Sequence, residues 1–310
     1  MRIIHQPAEL QAAGRPVCAA IGVFDGVHRG HQAVIGHAVR EAARTGGVAV
    51  VITFDRHPRS IVDPARAPAL IQPLSRKLAA LGALGAEAAL VFHFDHHFSL
   101  QSAEAFVHAL YAGFGTLASL SVGANFFFGH GRAGNVQVLQ ELGRRYGFAV
   151  QVAEPVLFGG EPISSTRVRA AIRAGQLAEV TAMLGRPYAV CGPVLRGQGL
   201  GRQLGFPTAN VAVEGLEMPP QGVYAARVIL PDGPHPAVVN WGRRPTVAGG
   251  AAGPHFEVHL PGWQGDLYGQ ELEVQLGRYL RAEQRFPAVE ALRAQIARDV
   301  AAALAAGGMD

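Results

Sequence analysis

Residues 22–31 read GVFDGVHRGH, which sets His28 and His31 three apart among glycines, directly behind the apolar run VCAAIG (17–22). Two imidazoles at this spacing can ligate a metal, contact phosphate, or be unrelated polar residues. A metal usually draws further Cys, Asp or Glu ligands, and two histidines supply only half a set. If the apolar run is a strand and a helix follows, the segment brings glycines, imidazoles and free helix N–H groups to one point. A helix N-terminus attracts anions and glycine admits close backbone approach, so that arrangement would hold phosphate. Turn glycines beside solvent-facing histidines are the plain alternative.

Other segments are ambiguous alone. In ISSTRVRAAI (163–172), Ser164 and Ser165 stand where a helix would start, with Val168, Ala171 and Ile172 facing inward and Arg169 and Arg173 outward. That describes any capped surface helix. The PTAN of GRQLGFPTAN (201–210) could be turn chemistry, and Glu257 in HFEVHL an ordinary strand carboxylate.

The positioning elements come in two rhythms. From residue 17 to about 175, apolar runs alternate with helix-like segments. VCAAIG, VAVVITF (48–54), AALVFHF (88–94), SLSVG (119–123) and FAVQVAEPV (148–156) read as strands. Between them, helices are expected over about 30–45, 75–85, 102–114 (capped by Ser102, with Glu104 in its first turn) and 135–147. Such alternation predicts βαβ units and a parallel sheet, whose ligands bind beyond the carboxyl ends of the strands. The histidine pair lies in such a loop. After GRPYAV (185–190), glycine and proline punctuate the short runs YAVCGPVL, GVYAARVIL, PHPAVVNW, HFEVHL and QELEVQL, predicting a small antiparallel barrel or sandwich. A last helix is expected to turn Val289, Leu292, Ile296 and Val300 inward.

Of 310 residues, 49% are hydrophobic and 16% charged, which predicts a packed core in two domains. The net charge of +4 comes without a dense basic run, so nucleic acid is not the expected partner. Lys77 is the only lysine, which excludes a P-loop and leaves arginine, histidine, hydroxyls and backbone N–H groups to bind phosphate. Cys18 and Cys191 sit in apolar runs and read as buried free thiols of a reducing compartment. No apolar run approaches a membrane span and the first residues show no signal peptide, so a cytoplasmic protein is expected, with no membrane partner.

Together, GVFDGVHRGH, ISSTRVRAAI and VGANFFFGHGRAG (122–134) resemble the adenylyltransferase module of the prokaryotic bifunctional riboflavin kinase/FAD synthetase family. GRQLGFPTAN, NWGRRPT (240–246), FEVHLPGWQGDLYG (256–269) and YLRAEQRFPAVEALRAQIARD (279–299) resemble, in order, its riboflavin kinase module. The resemblance implies an α/β nucleotidyltransferase domain with a Rossmann-like parallel sheet over 1–184, and a small antiparallel β-barrel with a terminal helix over 185–310. It departs from the family at Asn125, where Asp is common, and at Trp241, where a smaller aliphatic residue is usual.

The implied chemistry has two steps. The first moves the γ-phosphoryl of ATP to a ribityl hydroxyl of riboflavin, giving FMN. The alcohol must lose a proton, so a carboxylate base is useful, and Glu257 matches the family position. Thr208 and Asn210 match oxygen ligands for Mg2+, while Gly199, Gly201, Gly205 and Pro207 would lie along the ATP phosphates. In the second step FMN attacks ATP and pyrophosphate leaves, giving FAD. The nucleophile is already anionic, so positioning and charge stabilisation suffice. The resemblance puts His28 and His31 at the phosphates, with Gly22, Phe24, Gly26, Ser164, Ser165 and Arg169 around the ATP, while Asp25 fixes the loop. It also puts Asn125, Arg281 and Phe286 at the flavin. The expected partners are small-molecule substrates, with apo-flavoproteins as recipients of product. The alternatives are a kinase-only enzyme with an inactive adenylyltransferase half and a non-catalytic flavin-nucleotide binder.

Overall fold

The computed structural model describes residues 1–10, 12, 14–197, 199–243 and 254–305. Arg244, Pro245 and Thr246 of the NWGRRPT segment lie outside the described residues. The chain divides into two compact units, Met1–Arg167 and Val168–Asp310.

In the first unit the strands are β1 (Arg2–Ile4), β2 (Val17–Ile21), β3 (Val48–Phe54), β4 (Ala88–Phe92), β5 (Leu117–Gly123) and β6 (Ala149–Ala153), followed by a two-stranded hairpin, β7 (Leu157–Phe158) and β8 (Glu161–Pro162). The helices are α1 (Arg29–Thr45), α2 (Arg59–Val62), α3 (Leu74–Ala83), α4 (His96–Ser99), α5 (Ala103–Phe114) and α6 (Val136–Tyr146). The expected parallel sheet is present, in the order β1-β4-β3-β2-β5-β6 with every pairing parallel. β2 and most of β3 are buried along their length, as expected of a sheet covered on both faces. Alternate residues serve opposite layers. Ala19, Ile21, Val50 and Ile52 pack with Phe106, Leu110, Leu139 and Leu142 of α5 and α6, whereas Ala20 and Val51 pack with Val34, Ile35, Ala38 and Leu81 of α1 and α3. Ser102 caps α5, its hydroxyl accepting from the Ala105 N–H at 3.1 Å. The run read as a strand over 148–156 pairs only as far as Ala153, since Pro155 has no N–H to donate.

α7 (Ser165–Arg173) crosses from the first unit into the second, and α8 (Leu177–Leu184) follows. The barrel strands are β9 (Ala189–Leu195), β10 (Thr208–Val211), β11 (Gly222–Leu230), β12 (Gly233–Arg243), β13 (Pro254–His259) and β14 (Glu271–Arg281), with the short α9 (Leu200–Gln203) between β9 and β10 and α10 (Val289–Ala305) at the end. They close in the order β10-β13-β12-β11-β14-β9, resolving barrel against sandwich. Outward-facing Val223, Ala225 and Val238 pack under Val300 and Ala303 of α10. The inward face of α10 differs from the expected one at its start: Val289 is 54% exposed, Leu292 and Ile296 are half-buried, and Asp299 and Ala303 are buried. The C-terminal turns of α10 pack on the barrel through Val300 and Ala303. Cys18 and Cys191 are buried free thiols.

Trp241 packs at 6.4 Å between ring centroids from Phe256 and donates its indole N–H to the Pro219 carbonyl at 3.0 Å. Both tryptophans, Trp241 and Trp263, lie in the second unit and report on it alone. Gly192 on β9 has no room for a side chain, because an added Cβ would fall on the Ala212 carbonyl oxygen. Gly192→Ala is therefore expected to lower the stability of the barrel by about 1–3 kcal/mol, the usual size of overpacking effects. Tryptophan fluorescence during urea unfolding would report this as an earlier midpoint.

Candidate active site

In the sheet order, β3 and β4 extend to one side of β2, and β5 returns to the other. This makes the carboxyl end between β2 and β5 the switch point of the sheet, where open α/β sheets bind ligands. The loop leaving β2 is GVFDGVH (22–28), and α1 opens immediately after it.

His28 is the N-cap of α1: its Nδ1 accepts from the His31 N–H at 3.3 Å, and the residue is 4% exposed. A neutral imidazole that accepts at Nδ1 carries its proton on Nε2, so capping makes Nε2 a donor. The two rings stack with centroids 3.6 Å apart and an interplanar angle of 18°, and Phe24 meets His31 edge-on at 5.3 Å. The spacing of H-R-G-H depends on its glycine. A Cβ on Gly30 would lie 3.2 Å from Cε1 and Nδ1 of His28, displacing the ring.

The loop is held against backbone preference. Phe24 and Val27 adopt φ of 51° and 41°, values that bulky and β-branched residues rarely take and that cost on the order of 1–3 kcal/mol each. Gly26, at φ 82°, packs where a Cβ would be 2.9 Å from Ile71. A Cβ on Gly22 would be 2.9 Å from the Phe24 ring. Several bonds offset the strain. Both carboxylate oxygens of buried Asp25 accept from the Ile71 N–H at 3.1 Å, so Asp25 fixes the loop as expected. The Gln32 amide donates to the Val27 carbonyl at 2.9 Å, and the Ser165 hydroxyl to the Asp25 carbonyl at 2.9 Å. The ISSTRVRAAI segment is thus joined to the histidine loop through Ser165. Ser164 caps α7, accepting from the Arg167 N–H at 3.2 Å.

Arg169 is a correction. It was expected to face outward, but it is only 5% exposed. Ser165, Val168, Arg169 and Ile172 recur at i, i+3, i+4 and i+7, the spacing of one helix face, so Arg169 shares the buried stripe of Val168 and Ile172. Residue type had argued outward where periodicity argued inward. Asn125 is exposed in the turn after β5, on the same carboxyl edge of the sheet as the histidine loop. The segment following it is anchored by paired backbone hydrogen bonds between Phe128 and Gly134 at 2.9 and 3.0 Å, with Phe126 stacked on Phe128.

The second constellation lies on the barrel. Glu257 on β13 stands opposite Asn210 on β10 and Asn240 on β12, so a carboxylate is flanked by two amides in one row across three strands. Residues paired in register project to the same face. His259 and His255 lie two positions either side of Glu257 on that face, opposite Thr208 and Gly242 respectively. The Asn240 amide is 3.1 Å from His255 Nε2, and His259 Nδ1 is 2.8 Å from the Pro207 carbonyl. The glycine loop covers the PTAN residues closely. A Cβ on Gly201 would be 3.0 Å from Thr208 Oγ1, and one on Gly197 would collide with the Asn210 amide. Arg293 of α10 supports this loop, its Nε donating to the Leu204 carbonyl at 3.1 Å and its Nη2 lying 3.6 Å from where a Gly205 Cβ would be.

Arg281 and Phe286 do meet, the guanidinium lying 5.8 Å from the ring centroid. The guanidinium is also engaged by buried Asp299, at 2.7 Å from Nη2 and 3.1 Å from Nε. Among the described residues no three His, Cys, Asp or Glu side chains gather into a metal cage. Asn240, His255 and Lys77 were not singled out from sequence as site-forming residues. Asn240 could have been noticed within NWGRRPT, but its place beside Glu257 is a matter of strand register.

A parallel α/β unit with H-x-G-H at its switch point, on the same chain as a closed barrel bearing a carboxylate between two amides, defines a two-site nucleotide-dependent transferase. The FAD synthetase family model matches residues 10–167, ending where the first compact unit ends, and the riboflavin kinase model matches residues 184–306. A bifunctional riboflavin kinase/FMN adenylyltransferase of Pseudomonas fluorescens is 41% identical over 306 residues, covering 98% of this chain and 97% of its own. One from Escherichia coli (strain K12) is 39% identical over 301 residues, covering 96% of each. Among solved structures, a crystal structure described as a macrolide-efflux protein from Streptococcus pneumoniae matches with a TM-score of 0.81 at 25% identity, over 96% of this chain and 97% of that one. The chain belongs to the bifunctional riboflavin kinase/FMN adenylyltransferase family. No described helix is long and apolar enough to cross a membrane.

Proposed function

We propose that the chain phosphorylates riboflavin to FMN and then adenylylates FMN to FAD, each step at its own site. The carrying observation is that each family model falls within one compact unit, and each unit holds its own phosphate-handling constellation. The adenylyltransferase part is taken as 1–184 and the kinase part as 185–310, a division supported by the start of the kinase match at residue 184.

In the kinase, Glu257 accepts the proton of the ribityl hydroxyl as that oxygen attacks the γ-phosphorus and ADP leaves. Asn210 and Asn240 flank Glu257 from the neighbouring strands. Gly199, Gly201, Gly205 and Pro207 line the phosphates. The Thr208 hydroxyl and Asn210 carbonyl oxygen suit a hard cation such as Mg2+, and they lie two apart on one strand, close beneath Gly197 and Gly201 of the glycine loop. Bound there with the nucleotide, the cation would neutralise triphosphate charge. Arg281, already fixed by Asp299, offers the flavin its planar face and Phe286 a ring.

In the adenylyltransferase, an FMN phosphate oxygen attacks the α-phosphorus of ATP and pyrophosphate leaves. Nε2–H of His28 and the His31 ring donate to phosphate oxygens as negative charge shifts onto the leaving group, beside the open N–H groups of α1. Gly22, Phe24 and Gly26 shape the turn, Ser164 and Ser165 close α7 onto it, Arg169 adds positive charge, and Asn125 offers the flavin an amide. Gly30→Ala is expected to lower FMN-to-FAD conversion by at least about tenfold by displacing the His28 ring, leaving riboflavin phosphorylation unchanged. Both rates can be read from one chromatogram.

Incubating the chain with riboflavin, ATP and magnesium and separating the flavins tests the whole reading. FAD accumulating through FMN is expected. FMN alone would point to a kinase-only enzyme, and bound flavin without conversion to a storage or delivery protein. Apo-flavoproteins that use FMN or FAD are the natural recipients of the products, and the site of action is the cytoplasm.

A further inference from the structure

The only lysine of the chain, Lys77 on α3, is 7% exposed and points its ammonium at the histidine loop. Nζ lies 3.2 Å from the Val23 carbonyl, 3.1 Å from Thr53 Oγ1 and 2.7 Å from the Phe54 carbonyl. Thr53 Oγ1 in turn donates to the Val23 carbonyl at 3.1 Å. An ammonium has three N–H donors, and these three acceptors engage all of them. None is left for a phosphate oxygen, so Lys77 is not a nucleotide ligand in this arrangement. Its acceptors instead join two chain segments. Val23 precedes the strained Phe24 of the loop, and Thr53 and Phe54 end β3, the strand beside β2.

We propose that Lys77 is a positioning residue for adenylyl transfer: its charged amine clamps the Val23 carbonyl to the end of β3 and thereby holds the strained turn that presents His28 and His31. The proposal rests on the phosphate role assigned above to the histidine pair. A shorter or neutral side chain removes the ammonium donor from the Phe54 carbonyl and the Thr53 hydroxyl and leaves the Val23 carbonyl held by the Thr53 hydroxyl alone, so that Phe24 and Val27 are freer to relax. Arginine would be a poor replacement, because a planar guanidinium cannot converge on three acceptors around one nitrogen.

The clamp has a pH signature. Burial pushes the Lys77 amine down from its ordinary range to about 8, while the nearby charges of Asp25 and Asp55 act to raise it. The charged groups acting on it are Asp25 on the loop after β2 and Asp55 after β3, the latter paired with Arg56 and His93. Below about pH 8 the amine supplies three donors to three acceptors; above it a neutral amine supplies two, and one acceptor loses its partner. Adenylyl transfer should therefore weaken as pH rises through about 8.

The test compares full-length wild type with Lys77→Met. FMN-to-FAD and riboflavin-to-FMN rates are measured from pH 7 to about 9.5, and amide hydrogen exchange is followed by mass spectrometry. In the variant, kcat for FAD formation is expected to fall on the order of 10²-fold, with KM for ATP changed less than about threefold and FMN formation within about twofold. The wild-type rate of FAD formation should decline above pH 8, while the residual rate of the variant stays flat. Exchange should rise over residues 22–31 while β2–β5 stay protected. The proposal is overturned by an FAD-forming rate within about threefold of wild type, by an alkaline decline that persists in Lys77→Met, or by lost protection across the whole sheet, which would make Lys77 a general folding residue. Faster exchange at 22–31 with unimpaired FAD formation would overturn it differently, through the histidine reading, since the loop would then be clamped but not used.

Discussion

Replacing Glu257 by alanine is expected to reduce riboflavin phosphorylation by about 10²–10⁴-fold, the range over which a positioned general base acts. Conversion of supplied FMN to FAD should stay within about twofold of wild type, because Glu257 lies in the barrel unit and adenylyl transfer needs no base. The expectation follows from register. Asn210 and Asn240 flank the carboxylate from adjacent strands, and Phe256 and Val258 on either side of it are buried in the barrel, so its backbone is rigidly placed. Removing the side chain beyond Cβ leaves that framework unchanged. Glu257→Gln keeps the volume while removing the basic oxygen, and it should be nearly as slow. Chromatography of the flavins formed from riboflavin and, separately, from FMN checks both halves. Glu257→Ala with undiminished FMN formation would remove the base assignment.

The complementary result is expected at His31. His31→Ala should lower FMN-to-FAD conversion by about 10²–10³-fold, the loss seen when one donor to developing charge is removed, with FMN formation unaffected. His31 is a cleaner probe than His28, whose Nδ1 also caps α1. Losing that cap would add about 0.5–2 kcal/mol of destabilisation to any catalytic effect. His31→Ala leaves the cap intact, because the bond to His28 uses its backbone N–H. The two variants form an internal control, each retaining the activity the other loses. Loss of both activities in either folded variant would sink the two-site reading.

Much of this was legible in the chain. The five parallel strands over 17–153 announced themselves as short runs alternating with helix-like segments, β2 and β3 apolar enough to be buried on both faces, and Ser102 and Ser164 as caps before helical periodicity. H-R-G-H and P-T-A-N were visible because close approach to phosphate demands particular small and donor residues at fixed spacing, which is local information. β1 was harder to see: three residues at a sheet edge carry almost no periodicity, and they pair only because β4 lies beside them. The start of α10 and the burial of Arg169 were misread for a related reason. Which side of a helix is inside depends on what packs against it, and a charged residue on the buried stripe needs neighbours that the sequence does not display.

The sequence by itself thus determined the two rhythms, the parallel and antiparallel classes, and the residue types able to handle phosphate, because these follow from backbone sterics, side-chain period and short-range spacing. Tertiary structure alone decided what those residues face. It set β5 beside β2 to make the switch point, aligned Asn210, Glu257 and Asn240 across three strands, and closed three oxygens around the single buried lysine. The physical reason is separation along the chain. Lys77 lies 54 residues from Val23 and 24 from Thr53, and only the packing of α3 against the sheet brings their polar atoms within hydrogen-bonding distance.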